Sequence, residues 1–167
     1  AIFHAMAGAE HREKFAQVKD VDFSYALVDG GRFRVNVHRH RHGLGIALRA
    51  IKDDIPPLES LNLPEVIGEL TYLPRGLVLV TGATGSGKST TLAAMIQSMN
   101  LRDAKHIITL EDPIEYAFVS ANSVIEQREL GSDVPTFASG LRHALRQDPD
   151  IILVGEMRDL ETTSAAL

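Results

Sequence analysis

The sequence predicts an α/β protein in two parts: a small antiparallel α+β unit, then a parallel sheet flanked by helices. Three observations predict it. Residues 21–51 hold three apolar–polar alternating runs separated by turn residues. Beyond about residue 63, short apolar runs alternate with helical periodicity, the pattern of strands joined by crossover helices. Between one such run and one such helix lies Gly82–Ser89, a glycine-rich stretch of the kind that wraps a phosphate.

Residues 2–18 mix apolar and charged residues at helical spacing and read as the end of a helix. Val21–Val28 alternates as a strand. Asp29-Gly30-Gly31 is a tight turn, and Arg32–His38 alternates again, with Phe33, Val35 and Val37 on one face and Arg32, Arg34 and Asn36 on the other. Leu44–Ile51 is a third strand. Pro56-Pro57 and Pro64 mark a stiff connector. The division is therefore 1–54 for the first domain, 55–63 for the linker and 64–167 for the second domain.

The second domain reads helix, strand Leu77–Thr81, loop, helix Lys88–Asn100, strand His106–Leu110, a short strand pair, helix Thr136–Arg146, strand Ile151–Val154 and helix. Thr136 suits an N-cap, and Phe137, Leu141, Ala144 and Leu145 form an apolar stripe facing the core. Four consecutive apolar residues make Ile151–Val154 a fully buried strand. The first and last residues read as cuts inside elements, so both ends are expected to be truncated.

Composition narrows the function classes. The 167 residues contain no cysteine, which removes disulfides and thiolate zinc sites, and no apolar run reaches the roughly 20 residues that cross a bilayer. Net charge is −5 and aromatics are 5%, which argues against a strand-tracking nucleic-acid surface with its basic groove and stacking platforms. The charge is uneven: residues 1–62 carry 9 basic and 8 acidic residues, residues 63–167 carry 8 and 14. Arg32, Arg34, Arg39, Arg41 and Arg49 lie in an acid-free segment that suggests a local anion contact. His38, His40 and His42 read as a solvated loop, since no carboxylate or cysteine joins them.

Gly82-Ala83-Thr84-Gly85-Ser86-Gly87-Lys88-Ser89 fits G-x-x-x-x-G-K-[ST] and sits between an apolar run and a helix, the context that confirms the motif. Glycines let backbone amides converge on phosphate oxygens, and the helix dipole faces the same anion. Lys88 can reach the β- and γ-phosphates, Ser89 can ligate Mg²⁺, and Thr90 can support the phosphates nearby. Two acidic clusters follow apolar runs, at the strand ends where open α/β sheets bind ligands. One holds Glu111, Asp112 and Glu115. The other ends in Gly155-Glu156, where a carboxylate can hold the water shell of Mg²⁺.

The stretch Asp148–Thr162 resembles the Walker B segment of the secretion and pilus ATPases, Ile108–Tyr116 their Asp box, and Pro74–Gly82 their lead-in to Walker A. Within that family the chain is most similar to the motors of pilus retraction and twitching motility. Asp22–Tyr25 and Gly31–Asn36 resemble the small N-terminal domain of that type. The resemblance implies a partial PAS-like domain followed by the first part of a RecA-like P-loop domain. It implies ATP and Mg²⁺ as ligands, a homo-hexamer acting in the cytoplasm on an inner-membrane platform protein, and neither nucleic acid nor membrane insertion. By position, Glu115 is the water-activating base with Glu111 competing, and Glu156 is the carboxylate on the Mg²⁺ side. Arg32, Arg34 and Arg49 are candidates to reach nucleotide from the N-terminal domain, since guanidinium forks match phosphate geometry. The family's His box is expected beyond Leu167, so the chain alone is expected to bind nucleotide poorly and hydrolyse little. A related pilus-assembly or type II secretion ATPase, a RecA-like nucleic-acid motor and a non-hydrolysing ATP-binding scaffold are the competing readings. A small-molecule kinase is a weaker one, since no acceptor site or lid is visible.

Overall fold

The computed structural model describes residues 2–28, 31–52 and 54–167. The chain divides into two compact units, Ala1–Lys52 and Asp53–Leu167.

In the first unit, helices α1 (Ile2–Met6) and α2 (Ala9–Val18) precede three antiparallel strands, β1 (Asp20–Ala26), β2 (Arg32–His40) and β3 (Gly43–Ile51), in the order β1-β2-β3. The single helix expected over 2–18 is two, with Gly8 in extended backbone as the N-cap of the second. α2 ends where Lys19 turns left-handed. Alternation places Val21, Phe23, Val35 and Val37 on one face, buried with Phe3 and Ala7. Asp29 and Gly30 of the expected turn lie outside the described residues.

In the second unit, Pro57 leads into a 3-10 helix, Leu58–Leu61, whose Leu58 packs on Ala94 and Met95. A short helix α3 (Val66–Leu70) follows, then α4 (Lys88–Arg102). The parallel sheet is β4 (His106–Glu111) between β5 (Val124–Glu129) and β6 (Ile151–Val154). Helices α5 (Phe137–Ala144) and α6 (Leu160–Ala166) complete the unit. β4 carries the core: Ile107, Ile108, Thr109 and Leu110 are fully buried, and Ile108 and Leu110 pack with Val134, Phe137, Leu141 and Ala144. Burying each such aliphatic side chain contributes about 1.5–3 kcal/mol.

Four expectations fail here. Leu77–Thr81 is not a strand: no ladder bond joins it to another described strand, and Leu77 and Leu79 are 50% and 60% exposed. An apolar run becomes a strand only where a neighbour takes its backbone hydrogen bonds. The short strand pair is one strand, β5, with an isolated bridge from Leu130 to Val134. β6 is half-buried, not fully buried, because among the described residues it pairs with β4 alone. Leu145 leaves the apolar stripe: it follows the last turn of α5 and is 57% exposed, while Phe137, Leu141 and Ala144 are buried. The expected cap holds, with the Thr136 hydroxyl accepting from Ser139 N–H at 3.1 Å.

Candidate functional site

The phosphate loop is built almost wholly from its own backbone. Gly82 has φ +152°, and a Cβ there would stand 2.6 Å from Ser86 Oγ, so only glycine lets the loop fold back on itself. Gly87 turns left-handed at φ +95° as the N-cap of α4. The Lys88 ammonium donates to the Gly82 and Ala83 carbonyls, each at 2.9 Å, and so lies curled over the loop. Thr84, Gly85 and Ser86 are exposed, as is Ser89. The first amides of a helix have no partner within it, and α4 offers its own at this loop. Backbone donors, one ammonium and an exposed hydroxyl suit a polyphosphate, with Ser89 as an oxygen ligand for Mg²⁺.

The acidic loop is built differently. β4 ends in Glu111, whose Oε1 accepts from Thr109 Oγ1 at 2.6 Å and from Gln127 Nε2 at 3.1 Å. Burial pushes the Glu111 carboxyl up, against hydrogen bonds from Thr109, Gln127 and the Glu115 backbone that lower it. Glu115, four residues on, is exposed. The loop between and beyond them is held from β5. Gln127 and Glu129 sit two apart and so share one face of that strand. The Glu129 carboxylate accepts from Ile114 N–H, and Gln127 accepts from Phe118 N–H and donates to the Tyr116 carbonyl. Tyr116 is buried, and its hydroxyl lies 2.9 Å from Thr90 Oγ1, which ties the acidic loop to the first turn of α4.

The second acidic segment joins the same strand end. Gly155 N–H donates to the Leu110 carbonyl at 2.7 Å, continuing the β4–β6 pairing to the residue before Glu156. Glu156 forms an ion pair with Arg158 at 2.9 Å. The expectation that Glu156 stands beside the phosphate loop rested on neighbouring strands. Leu77–Thr81 is outside the sheet, so that argument lapses, and what joins the phosphate loop's helix to the strand ends is the Thr90–Tyr116 contact.

The family described as Type II/IV secretion system protein matches residues 31–167. The chain belongs to that family. It is 46% identical over 167 residues to the type IV pilus retraction ATPase PilT of Pseudomonas aeruginosa, covering all of this chain and 48% of that protein. It is 52% identical over 147 residues to the uncharacterised protein YggR of Escherichia coli, covering 88% of this chain and 45% of the other. A crystal structure of the pilus retraction motor PilT with bound ADP superposes with a TM-score of 0.95 at 49% identity, over 98% of this chain and 48% of that one. The chain thus spans about half the length of the relatives it matches. Its fold is that of this secretion-ATPase family, with an N-terminal antiparallel domain and then a RecA-like one.

In the family's N-terminal domain the candidate arginines share one sheet face. Arg34 and Arg49 are register partners on β2 and β3 and line a cavity of about 310 Å³ with Asp22, Asn36, Ala47 and Leu48. Arg34 lies 3.7 Å from Asp22, in a half-exposed pair of small energetic weight. Arg32 is on the same face two residues earlier and is exposed, but it does not line the cavity. Among the described residues no group of three or more His, Cys, Asp or Glu is placed to hold a metal. His38 Nδ1 instead lies 2.9 Å from Asn36 Oδ1.

Sequence reasoning missed Gln127, Glu129, Tyr116 and Asn100. Asn100 is fully buried on α4. Its amide donates to the Val119 carbonyl and accepts from Ala121 N–H, fixing the far end of the acidic segment. A polar amide amid the apolar positions of a helix was the available signal for it. For Gln127 the signal was weaker, one uncharged polar residue in a charged strand.

Proposed function

We propose that this chain is the nucleotide-binding part of an ATP-hydrolysing motor subunit that powers type IV pilus retraction. One observation carries the reading: the first turn of the phosphate-loop helix and the acidic loop are bonded through Thr90 and Tyr116 at the carboxyl edge of a parallel sheet. A polyphosphate cradle linked to a loop of carboxylates supports this reading, since phosphoryl transfer to water requires both. The similarity to an ADP-bound retraction motor supports the direction of the work done.

In this reading the amides of Gly82–Ser89 and the Lys88 ammonium hold the β- and γ-phosphates, with Thr90 behind them. Glu115 orients the attacking water, and Glu111, half-buried at the start of the same loop, is the competing base. Mg²⁺ would be held by Ser89 and on the side of Glu156, and when bound it neutralises charge developing on the phosphates. The subunits assemble as a homo-hexamer in the cytoplasm on an inner-membrane platform protein. Arg32, Arg34 and Arg49 reach nucleotide held by a RecA-like domain. No helix among the described residues is long and apolar enough to cross a membrane.

Phosphate release by the intact protein tests this. ATP turnover is expected to need Mg²⁺ and to fall by about 10²-fold or more in Lys88→Ala, since one preorganised charge donor is worth that much. Turnover at the wild-type rate in Lys88→Ala would overturn the reading.

A further inference from the structure

The acidic loop holds the residues assigned to water activation, and one side chain outside it, Gln127, makes three hydrogen bonds to that loop and to the strand end before it. Gln127 Oε1 accepts from Phe118 N–H at 2.8 Å. Its Nε2 donates to the Tyr116 carbonyl at 2.9 Å and to Glu111 Oε1 at 3.1 Å. The orientation of the amide is settled by these partners, because both acceptors face one end and the only donor faces the other. One side chain therefore ties the carboxylate at the end of β4 to the loop one and three residues beyond Glu115. A further link, between Tyr116 Oη and Thr90 Oγ1, runs on into the phosphate-loop helix. Among the described residues, the side-chain hydrogen bonds of Gln127 go to Phe118, Tyr116 and Glu111 and not to the phosphate loop.

We propose that Gln127 is a positioning residue for ATP hydrolysis, holding Glu111 and the Glu115-bearing loop in register with the phosphate-loop helix. This rests on the ATPase reading above. A side chain with this role affects the chemical step and leaves nucleotide binding alone, because the phosphate cradle owes it nothing. Replacement by glutamate keeps the shape and the acceptor for Phe118 N–H. It removes the donor and sets a second carboxylate against Glu111. Replacement by leucine removes every bond and leaves the loop's polar groups unmatched.

The experiment measures kcat, KM and the affinity for a fluorescent ADP analogue in the intact protein, for wild type, Gln127→Glu, Gln127→Leu and Lys88→Ala. Misplacing a reacting group by about 1 Å costs on the order of 10²-fold. The expected result is therefore a loss in kcat of about tenfold to 10²-fold for both Gln127 variants, with analogue affinity within about threefold of wild type. Measured affinity also shows that each variant is folded. Hydrolysis that needs Lys88 but is normal in both Gln127 variants overturns this inference and leaves the ATPase reading standing. Loss of binding and turnover together in both variants also overturns it, since Gln127 would then support the fold at large. Wild type without Lys88-dependent hydrolysis overturns the ATPase reading itself.

Discussion

The phosphate loop and the acidic loop are linked by one hydroxyl pair but are held by opposite means. Gly82–Ser89 is contiguous, and the hydrogen bonds that shape it are local: Lys88 to Gly82 and Ala83, Ser86 N–H to the Ala83 carbonyl, and Thr91 N–H of the helix that follows to the Gly87 carbonyl. The acidic loop is pinned from far along the chain, by Gln127, Glu129, Asn100 and Thr90. A loop that makes its own shape announces itself as a motif. A loop shaped by others shows only its charges, and its support is visible only once the chain is folded. In the proposed reading the contrast also divides the chemistry, with binding assigned to the self-held loop and turnover to the loop that depends on its surroundings.

The comparison breaks first on Glu115. Glu115→Gln should lower ATP turnover in the intact protein by about 10²- to 10⁴-fold, the usual worth of a positioned base, while nucleotide affinity is kept. Unchanged turnover would pass the role to Glu111 and make the exposed residue a bystander.

It sharpens on Asn100. Asn100→Ala leaves the Val119 carbonyl and Ala121 N–H without their partner and should destabilise the protein by about 1–3 kcal/mol. Urea unfolding measures this, and no loss of stability would mean the far end of the acidic segment has other anchors.

The smallest effect concerns Glu111. Burial raises its carboxyl above the ordinary 4.5, so the fold prefers the neutral form. Its contribution to stability is full below the unfolded value and is lost as pH rises through the raised one. Glu111→Gln removes the charge but keeps an Oε1 acceptor for Thr109 and Gln127. The variant should therefore melt higher than wild type at about pH 7–8, with the difference shrinking toward pH 4.5. A variant less stable than wild type across that range would show that the three donors outweigh burial.

Much of the fold was legible in advance because its signals are local. Alternation marked β1, β2 and β3, Thr136 marked the start of α5, and the apolar runs marked β4 and β6. The failures share one cause. Leu77–Thr81 has the composition of a strand, but pairing is not a property of composition. Likewise Leu145 fits the helical stripe by spacing, but α5 ends at Ala144, one residue short of it. Of the site, the glycine turns and the helix starting at Lys88 were legible as a motif, the strand expected before them was not formed, and the acidic residues were legible as candidates without an order among them.

The sequence by itself determined the phosphate loop, the family and the position of each acid after its strand, because glycine spacing and apolar runs act over a few residues. Only the tertiary structure decided that Gln127 spans the acidic loop, that Asn100 anchors its end and that Arg34 faces Arg49. Those relations depend on which strands pair and in what register, and pairing is settled by burial summed over the whole unit.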